Sequence, residues 1–290
     1  MKCDKKVIEN ILPVTTDKAV YCDGTNNTIN NYMHINTPKS KLVYNMPISP
    51  TPATNAFFSI VDDDCVMGSY TVLKPTLDEL GIKAGWAVIT STVNTDGNMT
   101  IEQLKTLEKE GHEILSHTVN HSGGYVINDA LIKEYKDSKS FLLSHGFDVK
   151  GIAYPGGSTV VVNRHIAGEY YNYAVSTNAS INKIPINQMN INRVTFGKMW
   201  SGVENKYENY KALVDEIITN GGWLCFCTHA RVDDSTQMQW LKDLVNYMKE
   251  NNVFIGTPSQ VLRYMGNAIE IEGKYVVTNS GEVYKNGVKQ

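Results

Sequence analysis

The sequence predicts an α/β fold in which a parallel sheet curls into a barrel with helices packed outside it. Three observations predict it. From residue 55 onward, short apolar stretches of strand length alternate with longer amphipathic stretches, in about seven or eight units joined by short links. The first strand, Ala56-Phe57-Phe58-Ser59-Ile60-Val61, is apolar at every position but one, the pattern of a strand covered on both faces. Glycines at 81, 111 and 146 each follow a helical stretch, where a left-handed C-cap belongs.

Residues 1–54 are polar and rich in Asn and Thr, with no sustained period; they read as an extended arm or small β-rich cap. Their last part, Met46-Pro-Ile-Ser-Pro-Thr-Pro-Ala53, reads as a linker. The barrel is expected over 55–266. Its strands are predicted at 55–61, 84–90, 113–116, 151–154, 171–176, 190–196, 222–228 and 253–256. Its helices are predicted at 69–80, 100–110, 128–145, 160–169, 206–220, 235–250 and 258–265. Thr100-Ile-Glu-Gln103 has the form of a capping box and fixes one helix start. Over 267–290 the signals change to strand-turn-strand around Asn279-Ser-Gly281, a small C-terminal β-hairpin.

Composition narrows the partners. The net charge is −3 with no run of Lys or Arg, which argues against nucleic acid and anionic membranes. No apolar run has the length of a transmembrane segment, and the first residues lack the apolar region of a signal peptide. The five cysteines, Cys3, Cys22, Cys65, Cys225 and Cys227, form no disulfide framework. Cys225 and Cys227 alternate in an apolar strand and read as small buried hydrophobes. A Cys225, Cys227, His229 metal site ranks below that, because strand spacing does not bring three ligands to one tetrahedral point.

Four stretches carry chemistry. Asp62-Asp63-Asp64 ends the first barrel strand, and carboxylates at the end of a buried strand generally meet a cation or an Arg. His117-Thr-Val-Asn-His121 follows the third strand; its i, i+4 spacing on a helical turn would put two imidazoles on one face. Gly151-Ile-Ala-Tyr-Pro-Gly-Gly157 runs a strand into a turn whose backbone N–H groups can approach a ligand. Trp223-Leu-Cys-Phe-Cys-Thr-His229 is a strand that ends in His. Singly, each has a plain structural explanation. Together they fall in order on successive strand ends, the face where α/β barrels do their chemistry.

In that order they resemble the polysaccharide deacetylases of carbohydrate esterase family 4, the NodB-homology domain, over roughly residues 55–266. Ser59-Ile-Val-Asp-Asp63 is similar to the family's Thr-Phe-Asp-Asp-Gly, and Ser116-His-Thr-Val-Asn-His121 to its His-(Ser/Thr)-x-x-His. The resemblance implies a distorted (β/α) barrel of the NodB-homology type holding one divalent metal, Zn²⁺ first, with Co²⁺, Ni²⁺ or Mn²⁺ as substitutes. By position it implies Asp63, His117 and His121 as ligands and Asp62 as the general base toward an attacking water. It implies the Gly156 N–H as oxyanion donor and His229 as the general acid.

The sequence also departs from the family. Asp64 stands where the family has Gly, and Ala153 where it has an Arg that tethers the base. Arg193, in an otherwise apolar-alternating strand, is the candidate replacement. Tyr154 and Trp200 are candidates for sugar contact. His112 and His145, at helix ends, read as solvated. The resulting function is removal of N- or O-acetyl groups from a polysaccharide, acting extracellularly, with the termini available for oligomer contacts. Two rivals stand beside it: a degenerate glycan-binding or structural protein of the same fold, and a barrel glycosidase using Asp62 and Asp64 as its carboxylate pair.

Overall fold

The computed structural model describes residues 54–123, 129–157, 161–184, 186–198, 203–230 and 234–265, with further strands at 19–22, 29–35, 268–271, 275–278, 283–285 and 288–289. Two strands of the N-terminal arm, β1 (Ala19–Cys22) and β2 (Ile29–Ile35), pair antiparallel with each other.

The barrel strands are β3 (Ala56–Asp64), β4 (Gly85–Val88), β5 (Glu113–Ser116), β6 (Gly151–Ala153), β7 (Tyr173–Val175), β8 (Val194–Thr195), β9 (Gly222–Thr228) and β10 (Phe254–Ile255). They lie in the order β7-β6-β5-β4-β3-β9-β8, with β10 beside the first half of β3. All these pairings are parallel. A single parallel bridge, Val175 to Ile191, joins β7 to the segment that leads into β8, so the curled sheet returns on itself. This is the distorted α/β barrel that the alternating strand and helix signals predict.

Among the described residues, seven helices connect the strands: α1 (Met67–Leu80), α2 (Ile101–Lys109), α3 (Asp129–Ser144), α4 (Val161–Tyr170), α5 (Tyr207–Asn220), α6 (Ser235–Glu250) and α7 (Pro258–Met265). The predicted capping box forms at α2: Thr100 Oγ1 accepts from Gln103 N–H at 3.2 Å, and Gln103 Oε1 accepts from Thr100 N–H at 2.8 Å. Gly81 ends α1 at φ 62°, a left-handed conformation that costs a glycine nothing.

Alternation along β3 sets everything that follows. Ala56, Phe58 and Ile60 face outward into the layer under the helices, against Leu73 and Leu77 of α1 and Leu241 and Leu244 of α6. Phe57 and Val61 face the barrel interior with Ala87, Leu115, Ala153, Tyr173, Trp223 and Cys225. Because side chains on a strand alternate, Asp62 continues the outward row and Asp63 the inward one. The same rule places Cys225 and Cys227 together inside, where both are free thiols, as expected for small buried hydrophobes. Trp86 and Trp223 are fully buried, as their strand positions predict.

The hairpin expected after residue 266 extends into a four-stranded antiparallel meander, Ala268–Ile271, Tyr275–Thr278, Val283–Lys285 and Val288–Lys289. Among the described residues no helix is long and apolar enough to cross a membrane.

Candidate active site

The acidic strand end separates its three carboxylates. Asp63, inside the barrel mouth, meets Arg193 in a bidentate pair: the two terminal guanidinium nitrogens donate to Oδ1 at 2.7 Å and Oδ2 at 2.9 Å. Arg193 is fully buried, and its Nε donates to the Ser176 carbonyl at 3.0 Å. Burial alone would raise the Asp63 carboxyl. The Arg193 guanidinium, joined by His117, outweighs it and holds the group well below the usual carboxylate range. Asp63 is therefore an ionised carboxylate with fixed orientation. The Cys227 thiol, kept protonated by burial, adds a weak donor 3.5 Å from Asp63 Oδ2.

Asp64 is the last residue of the strand, paired in register with Val88. Its φ of 75° and the following Cys65 at 53° are left-handed, uncommon for residues with a side chain, and they swing the Asp64 carboxylate onto the rim. There one oxygen lies 3.6 Å from His117 Nε2 and 3.8 Å from His121 Nε2, and the other 4.0 Å from His229 Nε2. Asp64, His117 and His121 offer ligand atoms within 4.8 Å of one another. His117 Nε2 is also 4.0 Å from Asp63 Oδ2, so the Arg-held carboxylate adjoins the trio.

The His pair is brought together by a turn, not by the helical face that its spacing suggests. Thr118 and His121 have φ of 67° and 58°, and the two rings meet edge to face at 4.7 Å between centroids. Glu134 of α3 holds this turn from behind, its carboxylate accepting the Val119 and Asn120 N–H groups at 2.8 Å each and Asn120 Nδ2 at 2.7 Å. The sequence offered no signal for Glu134, since the helix that carries it begins beyond the turn. His117 Nδ1 lies 2.8 Å from the Ala153 carbonyl. A carbonyl only accepts, so Nδ1 carries the proton and Nε2 presents its lone pair to the site. Burial lowers the His117 pKa, which further favours this neutral, ligating form. Two imidazoles and one carboxylate with room for further ligands suit a first-row divalent ion, so the residues fit the metal that the motifs imply.

The remaining candidates divide. Asp62 is fully buried in the outer layer, and its Oδ2 accepts the Ala230 N–H at 3.0 Å. The alternation of β3 sets it on the opposite row from Asp63, beside the peptide that follows His229. Gly156 sits exposed at φ 70° in the turn after β6, packed beside the His121 loop; a Cβ on Gly123 would lie 2.4 Å from the Pro155 carbonyl. Tyr154 is a correction: it is buried, with its hydroxyl donating to the Met189 carbonyl at 3.1 Å, so it serves packing and not sugar contact. Trp200 lies outside the described residues. His112 is a second correction. It is 4% exposed, and its Nδ1 accepts from Ala84 N–H and Trp86 Nε1–H, both at 3.1 Å.

This geometry defines a barrel with a metal-ready rim beside an Arg-held carboxylate. Comparison with known proteins gives a partial match: residues 55–174, β3 through the first part of β7, match the polysaccharide deacetylase family model. A gellan lyase of a Bacillus species is 38% identical over 117 residues; the match spans 39% of this chain and only 4% of that protein. Two solved structures share the fold. One is a family 4 acetyl xylan esterase from Clostridium thermocellum in complex with a cobalt ion, with a TM-score of 0.50 and 17% identity over 71% of this chain and 89% of that one. The other is a mutant of a CE4 family pseudoenzyme, with a TM-score of 0.51 and 13% identity over 75% of this chain and 72% of that one.

Proposed function

We propose that this chain is a metal-dependent carbohydrate deacetylase that hydrolyses an acetyl amide or ester on a polysaccharide, with the roles of its acidic triplet set one residue later than the motif alignment implies. The observation that supports this reading is the Asp64, His117, His121 trio beside the Arg193-held Asp63. Asp64 takes the ligand role assigned to Asp63, and Asp63 takes the base role assigned to Asp62. In this register Cys65, not Asp64, stands at the family's Gly, and its left-handed φ of 53° is the conformation a glycine supplies. Arg193 then replaces the tether absent at Ala153.

When bound, a divalent ion would supply Lewis-acid polarisation of the acyl oxygen and lower the pKa of a water to about 7. The chain's own groups do the rest. Asp63, ionised and fixed by Arg193, takes the proton of the attacking water as its oxygen bonds the acetyl carbon. The Gly156 N–H is the donor we assign to the oxygen that gains charge. His229, across Asp64 from His117, protonates the nitrogen or oxygen of the sugar as its bond to the acyl carbon breaks, releasing acetate. The extracellular site of action and the barrel limits at 55–266 belong to the same reading.

The test is acetate release from chitooligosaccharides and from acetylated xylan, with Zn²⁺ or Co²⁺ and with chelator. Asp63→Asn should lower kcat by about 10²–10⁴-fold while retaining the metal. Absence of acetate from every substrate, with metal still bound stoichiometrically, would replace the enzyme by a glycan-binding protein of the same fold.

A further inference from the structure

Asp62 is an unusual residue to find where it lies. It is a fully buried carboxylate in a layer otherwise built from Phe58, Ile60, Leu73 and Leu77, and burying a charge there is costly unless it secures something. One of its contacts is the peptide after His229: its Oδ2 accepts the Ala230 N–H at 3.0 Å. The other side of the same residue is held too, because Ser69 Oγ, fully buried at the start of α1, donates to the Ala230 carbonyl at 3.2 Å. Ala230 is 1% exposed. His229 itself is the last link before this clamp and follows the end of β9 at Thr228. Its Nδ1 is buried with no hydrogen-bond partner among the described residues, so no described side chain orients the ring from that nitrogen.

We infer that Asp62, with Ser69, is a positioning residue that aims the His229 imidazole at the leaving group by fixing the backbone of Ala230. The inference rests on the proposed deacetylase reading for the role of His229, but the clamp itself is a statement about the chain. It gives the first acid of the triplet a use that differs from those of the second and third. On this view Asp63 is the base, Asp64 is the ligand, and Asp62 sets the acid from the far side of the strand.

The test compares Asp62→Asn, Asp62→Ala and Ser69→Ala with wild type and with Asp63→Asn. Asn keeps an oxygen to accept the Ala230 N–H, so Asp62→Asn should lose less than about tenfold in kcat, whereas Asp62→Ala loses more than about tenfold with KM nearly constant. Ser69→Ala should move kcat the same way by a smaller factor. The loss should be confined to substrates whose leaving group needs a proton. Asp62→Ala should cleave an activated aryl acetate within about twofold of wild type, because that leaving group departs without an acid. Amide exchange at Ala230 supplies a readout independent of turnover: protection should survive in Asp62→Asn and fall at least about tenfold in Asp62→Ala. Metal stoichiometry and circular dichroism establish that each variant is folded.

Three results would overturn the inference. Asp62→Asn as inactive as Asp63→Asn would make Asp62 the base. Asp62→Ala with full kcat on unactivated substrates would remove the clamp from catalysis. Equal Ala230 exchange in all variants would remove the clamp itself. A wild type that releases no acetate at all, yet shows the Ala230 protection pattern, would sink the deacetylase reading and leave the clamp standing.

Discussion

Two buried histidines, His117 at the mouth of the barrel and His112 at its opposite end, each lie beside acidic groups, and each cluster has the composition of a metal site. Asp64, His117 and His121 form one; Asp78, Glu110 and His112 form the other. Their hydrogen bonds separate them. His117 donates from Nδ1 to a carbonyl and so presents a bare Nε2. His112 accepts at Nδ1 from two N–H donors, so its proton is on Nε2 and neither nitrogen offers a lone pair. The acids differ as well. Asp78 and Glu110 are neutralised by Lys74, whose Nζ lies 2.6 Å from one and 2.9 Å from the other. The lesson is that residue type and proximity nominate a metal site, and the tautomer set by the second nitrogen decides it.

Substituting each histidine in turn separates the two clusters most strongly. His117→Ala should reduce metal affinity by more than the factor of about 100 that loss of an outer-shell partner alone can cost, and acetate release should fall with it. His112→Gln should leave one bound ion per chain. Metal titration by calorimetry or elemental analysis reads both. Two ions in wild type, or one ion surviving His117→Ala, would show that the tautomer argument fails.

Removing the cation that organises the mouth comes next. Arg193→Met strands a buried Asp63 charge, and breaking a buried pair from one side generally costs about 3–5 kcal/mol. Adding Asp63→Asn should restore part of that stability, since the stranded charge is then gone. Denaturant melts of the two single variants and the double variant measure the coupling; strictly additive losses would mean that the pair is not the source.

How much of this was legible beforehand differs between fold and site. Period and capping gave every barrel strand to within a few residues, because burial on two faces writes itself into β3, β9 and their neighbours. Arg193 was legible from what surrounds it, a lone charge in an apolar-alternating strand. The separate placement of Asp62, Asp63 and Asp64 was not, although half of it could have been counted. Continuing the alternation from Phe57 and Val61 sends Asp63 inward and Asp62 outward. The other half, the positive φ that swings Asp64 to the rim, is a backbone conformation with no mark in an Asp-Cys pair. His112 was misread for a related reason. Its place after a helix suggests solvent, but it begins the approach to β5 and turns under Trp86.

That buried position gives His112 an acid liability that His117 does not share in the same form. Burial, and then the charge of Lys83, pull its pKa to about 4 from 6.5. Protonation would also fall on Nδ1, where two donors already point. The unfolded chain therefore takes up this proton first as pH falls. The stability that depends on neutral His112 is complete above about 6.5 and is lost progressively down to about 4, a difference of up to about 3 kcal/mol. His112→Gln should flatten the pH dependence of Tm across that window, whatever it does to stability at neutral pH. An unchanged slope would place the acid sensitivity elsewhere.

The smallest expected effect belongs to Glu134, which touches neither metal nor substrate. Its carboxylate gathers three N–H donors of the turn between His117 and His121, a turn whose left-handed residues at 118 and 121 do not hold themselves. Without that anchor His121, the more exposed of the two proposed imidazole ligands, would sample positions away from Asp64, while His117 stays fixed by Ala153. Glu134→Ala should therefore weaken metal affinity by about tenfold, the lower end of what an outer-shell group contributes. With saturating metal, kcat should recover, because the ligands themselves are intact. A kcat deficit that persists at saturation would mean that Glu134 shapes the catalytic groups and not only the approach of His121 to the ion.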